Sequence, residues 1–256
     1  VTYAADYHTY SDIPFWGALD YIGINAYFPL WDDNQPDPLP DSMMYFAGTW
    51  KTVWIPEIEE FIENLPPLPE KPVIFTEVGY RSTSGASHDP GNGQATGVYD
   101  EREQRNCYMA TLHSLLGKPW FAGWFWHEWT TNPNQGGPGD LSYSPKGKPA
   151  QEVLRRWNAA IGSQRGLAMT QDGSNSYKYQ EPGVEVSLAR LRATGAEWVS
   201  ILPQGWMNDT NKAYLGPIRV FDSAWWHSPC STSLVKVIDW ARECSLRVML
   251  KPHVDC

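Results

Sequence analysis

Short apolar runs alternate with amphipathic segments along almost the whole of this chain, and that alternation limits the fold more than any other feature. Val1 to Tyr7, Leu19 to Tyr27, Val73 to Phe75 with its continuation, Trp120 to Trp126, Gly166 to Gln171, Glu197 to Leu202 and Leu246 to Asp255 read as strands. Between them lie helix patterns: Ile55, Ile58, Ile62 and Leu65, stopped by Pro66 and Pro67; Glu101 to Leu116; a helix ending near Trp157; Val184, Leu188 and Leu191, stopped by Gly195; and Leu234, Val237, Ile238 and Ala241. A strand–helix alternation of this kind builds a parallel sheet covered by helices, either doubly wound or closed into a barrel. No Gly-x-Gly-x-x-Gly or Walker-type loop follows a strand, so a nucleotide-binding doubly wound sheet is disfavoured. A barrel is the better expectation, and a length of 256 residues suits one. The count reaches about seven strands, one short of a closed (β/α)₈ barrel.

Composition removes several function classes. The net charge is −9 and no basic run occurs, which argues against nucleic acid as a partner. No apolar stretch is long enough to span a membrane. The four cysteines (107, 230, 244 and 256) and six histidines show no metal-ligand spacing, so neither a metal nor a cofactor is expected. No Gly-x-Ser-x-Gly elbow is present, which disfavours a serine hydrolase. The opening Val1-Thr-Tyr-Ala-Ala lacks the features of a signal peptide and reads as domain interior, leaving a secreted location open.

Carboxylate chemistry remains, and Pro72-Val-Ile-Phe-Thr-Glu77-Val-Gly-Tyr80 is its best candidate. Here a buried strand delivers one carboxylate and breaks at Gly79, as a barrel strand does at an active-site mouth. The plainer alternative is that Glu77 pairs with a Lys or Arg. Other strand ends carry Asp6, Tyr7 and His8; Asn25, Tyr27 and Trp31; Trp126, His127, Glu128 and Trp129; Trp206 and Asn208; and Lys251, His253 and Asp255. Aromatic rings pack on the C–H faces of sugars and carboxylates bind their hydroxyls, so such a mouth suits a neutral polysaccharide. Each residue also has a structural reading. Trp124 and Trp126 share a strand face and could be core, His253 could be a satisfied histidine, Glu128 an ion-pair partner, and Lys251 the counter-ion of a carboxylate.

Several of these segments resemble glycoside hydrolase family 113. They are Leu19-Asp-Tyr-Ile-Gly-Ile-Asn-Ala-Tyr-Phe-Pro-Leu30, Phe75-Thr-Glu-Val-Gly-Tyr80, Trp120-Phe-Ala-Gly-Trp-Phe-Trp126 and Tyr143-Ser-Pro-Lys-Gly-Lys-Pro-Ala150. The resemblance implies a TIM-barrel type (β/α)₈ fold and a retaining endo-β-1,4-mannanase-like activity on a β-linked oligo- or polysaccharide. Glu77 would be the nucleophile and Tyr27 the residue that positions it. Trp126 would be the sugar platform, and His253 would be the histidine that approaches the sugar; Asn25, Trp129 and Trp206 are expected in the substrate site from their own places at or past strand ends. Thr194-Gly-Ala-Glu-Trp-Val-Ser200 and Val248-Met-Leu-Lys-Pro-His-Val-Asp255 resemble the family's amino-terminal part.

Residues 1–160 thus read as barrel strands five to eight and residues 161–256 as strands one to three, together one domain, either in circularly permuted order or as a stretch cut across two tandem copies. Asn158 to Gly166 is the expected linker. Strand four, which carries the family's acid/base, has no counterpart, so a second chain could complete the barrel. A non-catalytic carbohydrate-binding remnant or a partial gene product is the alternative function. Glucan or chitosan is the alternative substrate.

Overall fold

The computed structural model describes residues 1–31, 42–65, 71–94, 97–160, 164–171, 178–206 and 231–255. Its main sheet has seven strands: β1 (Ala4–Asp6), β2 (Ile22–Asn25), β3 (Val73–Val78), β4 (Phe121–Thr130), β5 (Gln164–Thr170), β6 (Trp198–Ile201) and β8 (Arg247–Leu250). Every pairing is parallel, and the sheet order follows the chain order. Helices α1 (Met43–Thr49), α2 (Ile55–Asn64), α3 (Glu101–Leu115), α4 (Pro149–Ala160), α5 (Gly183–Arg192) and α6 (Ser231–Glu243) lie between strands. All six residues of β3 are buried, which explains why its apolar run does not alternate with polar residues.

The sheet curls as a barrel does. At the amino ends of the strands, Gln164 Nε2 at the start of β5 donates to the Tyr21 hydroxyl beside β2, 3.1 Å away. At the carboxyl ends, Lys251 just past β8 reaches Asn25 and Glu77 on β2 and β3. Strands that far apart in the order can meet only if the sheet bends back on itself. Closure is nonetheless incomplete, because β1 and β8 are the two edges and no described strand lies between them. This is an α/β fold with seven parallel strands in an open barrel, as the alternation implied.

Local differences from the sequence reading have physical causes. The last expected strand is split at Pro252 into β8 and β9 (His253–Asp255), and the strand before it, expected to end at Leu202, resumes past Pro203 as β7 (Gln204–Trp206). Proline has no N–H to give the ladder, so both strands pause at the same level before β7 and β9 pair with each other. The helix read from Ile55 begins earlier, at Met43, and passes through a π-helical turn at Trp50–Trp54. That wider turn sits just ahead of Pro56, whose ring crowds the preceding turn of an α-helix.

The 158–166 linker is shorter than expected, since α4 runs to Ala160 and β5 begins at Gln164. Asn158 is buried there and donates from Nδ2 to the Thr194 carbonyl at 3.1 Å. β4, α4 and β5 therefore form an ordinary parallel crossover unit.

The chain between β4 and α4 is pinned by the buried Lys148. Its ammonium donates to Asp140 Oδ1 (2.9 Å), Ser82 Oγ (2.7 Å) and the Ser142 carbonyl (3.1 Å). Burial pushes the Asp140 carboxyl up, but hydrogen bonds from Ser142 and the ammonium of Lys148 outweigh it and hold the group below its ordinary value of 3.8. A depressed carboxylate contributes stability that is present above the unfolded value and lost as pH falls through the folded one. Acid unfolding followed by circular dichroism should therefore be steeper below about pH 4 in the native chain than in Asp140→Asn. The variant should also be less stable at neutral pH, because Lys148 keeps a buried charge without its partner. Superimposable pH profiles would remove Asp140 from this role.

Candidate active site

Glu77 leaves the carboxyl end of β3, where the register with β4 slips between Phe75 and Val78. It is 5% exposed, and its carboxylate is gripped on both oxygens. Oε2 accepts from the Tyr27 hydroxyl at 2.8 Å and Oε1 from Lys251 Nζ at 2.6 Å. Asn25, at the end of β2, ties this group together: its Oδ1 accepts from Lys251 Nζ at 2.7 Å and from Thr76 Oγ1 at 2.9 Å. The pause in β8 at Pro252 marks the point where Lys251 turns inward to complete the cluster.

Glu77 faces a cation on one side and a phenol on the other. Burial pulls the Lys251 ammonium down, while the Glu77 charge and hydrogen bond hold it up. Burial raises the Tyr27 phenol well above its ordinary value, and the adjacent Glu77 raises it further. Tyr27 therefore stays a neutral donor, and Lys251 supplies a positive charge in direct contact. A carboxylate held this way is fixed in position, with a cation against one oxygen and a hydroxyl donor against the other.

The wall beside Tyr27 comes from β4 and the segment after it. The His127 ring meets Tyr27 edge-on at 6.2 Å and Tyr143 at 5.0 Å between centroids. Tyr143 donates its hydroxyl to the Pro90 carbonyl at 2.7 Å. Burial pushes the Tyr143 phenol up to about 12, with Arg81 opposing. Glu128 accepts from Thr170 Oγ1 at 2.7 Å and lies 3.8 Å from His127 Nε2. Gly79 is required between Glu77 and this wall, because a Cβ there would overlap the His127 carbonyl oxygen.

Of the residues expected at the site, Asn25, Tyr27 and Glu77 come together. Trp126 and Trp129 do not join them. Trp126 is 1% exposed and stacks on Tyr108 of α3 with ring centroids 3.9 Å apart. The Trp129 indole donates to Ser187 of α5, and Lys146 Nζ lies over its ring. Both rings face the helix layer and fill core space there.

Trp206 and His253 lie on β7 and β9, past the carboxyl ends of β6 and β8, and their side chains are outside the described residues. The sequence reading of Lys251 as a carboxylate's counter-ion holds, and the carboxylate is Glu77 itself. His127 and Tyr143 were given no role of their own. Strand alternation held the signal for His127, since it sits one residue past Trp126 and so takes the opposite face.

Removing one partner of a buried pair strands the other charge, which costs about 3–5 kcal/mol. Lys251→Met should therefore lower the urea unfolding free energy by about that much. An unchanged midpoint would mean that Tyr27 alone satisfies Glu77.

Residues 1–148 match the sequence profile described as Glycoside Hydrolase Family 113. Two solved structures of GH113 β-1,4-mannanases, one of them a complex, superpose with TM-scores of 0.51 and 0.50 at 23% and 22% identity. In both cases 63% of this chain aligns with 46% of the other. A β-mannanase from Alicyclobacillus acidocaldarius in complex with ManMIm aligns at 29% identity and a TM-score of 0.48, covering 63% of this chain and 45% of that one. The chain thus spans less than half the length of these solved structures. No curated protein matches it.

Proposed function

From the premise that the chain belongs to glycoside hydrolase family 113, we propose that it carries the nucleophile half of a retaining β-mannanase-type site, with Glu77 as nucleophile. The observation that carries this reading is the grip on the Glu77 carboxylate, hydrogen-bonded by Tyr27 and ion-paired with Lys251 in a buried mouth. In the first half-reaction a Glu77 oxygen attacks the anomeric carbon, the C1–O bond to the leaving group breaks, and a glycosyl ester forms. Tyr27 holds the carboxylate in line, and its hydroxyl remains a donor as negative charge passes from Glu77 to the departing group and the neutral ester forms. Lys251 steadies the carboxylate before attack. His127, packed on Tyr27, is the ring that borders the sugar in this reading.

The departing oxygen needs a proton, which in retaining enzymes comes from a second carboxyl about 5–5.5 Å from the first. The family resemblance assigns that group to strand four, and no described strand occupies the gap between β8 and β1. Loss of such acid help commonly costs about 10²–10⁴-fold in rate. In our reading the described residues by themselves handle leaving groups that depart without protonation, and a further strand between β8 and β1, such as one from a second chain, would restore turnover of polysaccharide. The permuted order, with β5, β6 and β8 as barrel strands one to three, belongs to the same proposal. The open gap also favours a second reading, a sugar-binding protein without turnover.

A 2-deoxy-2-fluoro mannosyl fluoride separates the two, because fluoride leaves without a proton. Intact mass should rise by one fluoromannosyl group in the native chain and not in Glu77→Ala. His127→Ala should slow the labelling while leaving the labelled residue unchanged. No mass gain from folded native chain would favour the binding reading and count against Glu77 as nucleophile.

A further inference from the structure

Glu77 and Lys251 form a buried ion pair, and a covalent bond to one partner changes the position of the other. Glu77 Oε1 lies 2.6 Å from Lys251 Nζ, and the two residues are 5% and 6% exposed. The ammonium also donates to Asn25 Oδ1 at 2.7 Å and to the Thr76 carbonyl at 3.4 Å. Asn25 Oδ1 is itself fixed by the Thr76 hydroxyl at 2.9 Å. Of these three acceptors only the carboxylate carries charge.

An ester at Glu77 removes that charge. When a Glu77 oxygen bonds to an anomeric carbon, the electron pair of the broken bond at that carbon leaves with the departing group. The Glu77 carboxyl becomes neutral. Lys251 then faces an ester, an amide oxygen and a peptide carbonyl, with its positive charge buried and no longer compensated by them. Stranding one charge of a buried pair is costly, so the ester state is raised in energy. The same cation opposes the first step, because it stabilises the carboxylate that must give up its charge.

The second step reverses this. A nucleophile attacks the anomeric carbon, the bond from that carbon to the Glu77 oxygen breaks, and its electron pair returns to the carboxylate. An attacking water passes its proton to solvent. Negative charge grows on Glu77 beside the waiting ammonium, so the cation interacts more strongly with the transition state than with the ester.

Resting on the reading of Glu77 as nucleophile, we propose that Lys251 is a catalytic residue of the second half-reaction. It drives release of the sugar by making the Glu77 carboxylate a better leaving group.

The test starts from chain labelled with 2-deoxy-2-fluoro mannosyl fluoride and freed of excess reagent. Azide is the nucleophile, since it attacks carbon with no proton to lose. Intact mass follows loss of the label, and the limiting rate at saturating azide is compared between proteins. Starting from the ester makes this rate independent of the protonation of free Glu77. Lys251→Met should slow release by about tenfold or more. Asn25→Asp should slow it as well, because a carboxylate there gives Lys251 a counter-ion that survives esterification. This second variant keeps both the cation and the acceptor for Thr76, so a lost contact does not account for its effect. It decides the question alone if Lys251→Met fails to fold or to take the label. Release at the native rate from either labelled variant would overturn the role of Lys251 and leave Glu77 as nucleophile. Absence of label on the native chain would overturn both.

Discussion

The buried contact between Lys251 and Glu77 connects the two ends of this structure. Both side chains are almost entirely withdrawn from water, at 6% and 5% exposure, and burying either charge alone would be costly. Together they compensate, while Asn25 and the Thr76 carbonyl accept from Lys251 and Tyr27 donates to Glu77. The pair therefore demands that the sheet curl far enough for the end of β8 to face the ends of β2 and β3. Sheet curvature and the geometry around Glu77 meet in this one interaction.

The sheet's regularity makes that contact possible. Each strand of the main sheet pairs with the one before it in sequence, and β4, α4 and β5 continue the pattern where a linker had been expected. The proline pauses at Pro203 and Pro252 fall at matching positions on neighbouring strands. A break on one strand alone would have left unpaired backbone groups on its neighbour. A shared break lets both strands resume pairing and leaves Lys251 at the interruption.

The fold was largely legible in the sequence because buried parallel strands write themselves as apolar runs. Val73 to Val78 shows this most plainly, with every residue buried and Glu77 at its end. Asn25 and Tyr27 were readable for the same reason. Trp126 and Trp129 were not, because an indole two residues from another gives no sign of whether its face of the strand meets sugar or helix. Only the packing of Tyr108 and Ser187 decides that, and both are distant in sequence. His127 was named at its strand end but not singled out beside its aromatic neighbours. The helical start at Met43 escaped because its first turns have no clear apolar period, and the π turn shifts the phase of the residues beyond Trp54.

A sheet whose neighbours keep to chain order can assemble stepwise, each strand docking on an edge already formed, with modest loop-closure cost at every step. The contact between Lys251 and Glu77 spans 174 residues of sequence and has no such local route. It can form only after the intervening strands are in register, so the grip on the carboxylate completes last. Occupancy of that grip thereby reports on the integrity of the whole sheet, and damage to a remote strand would register first as a loosened Glu77.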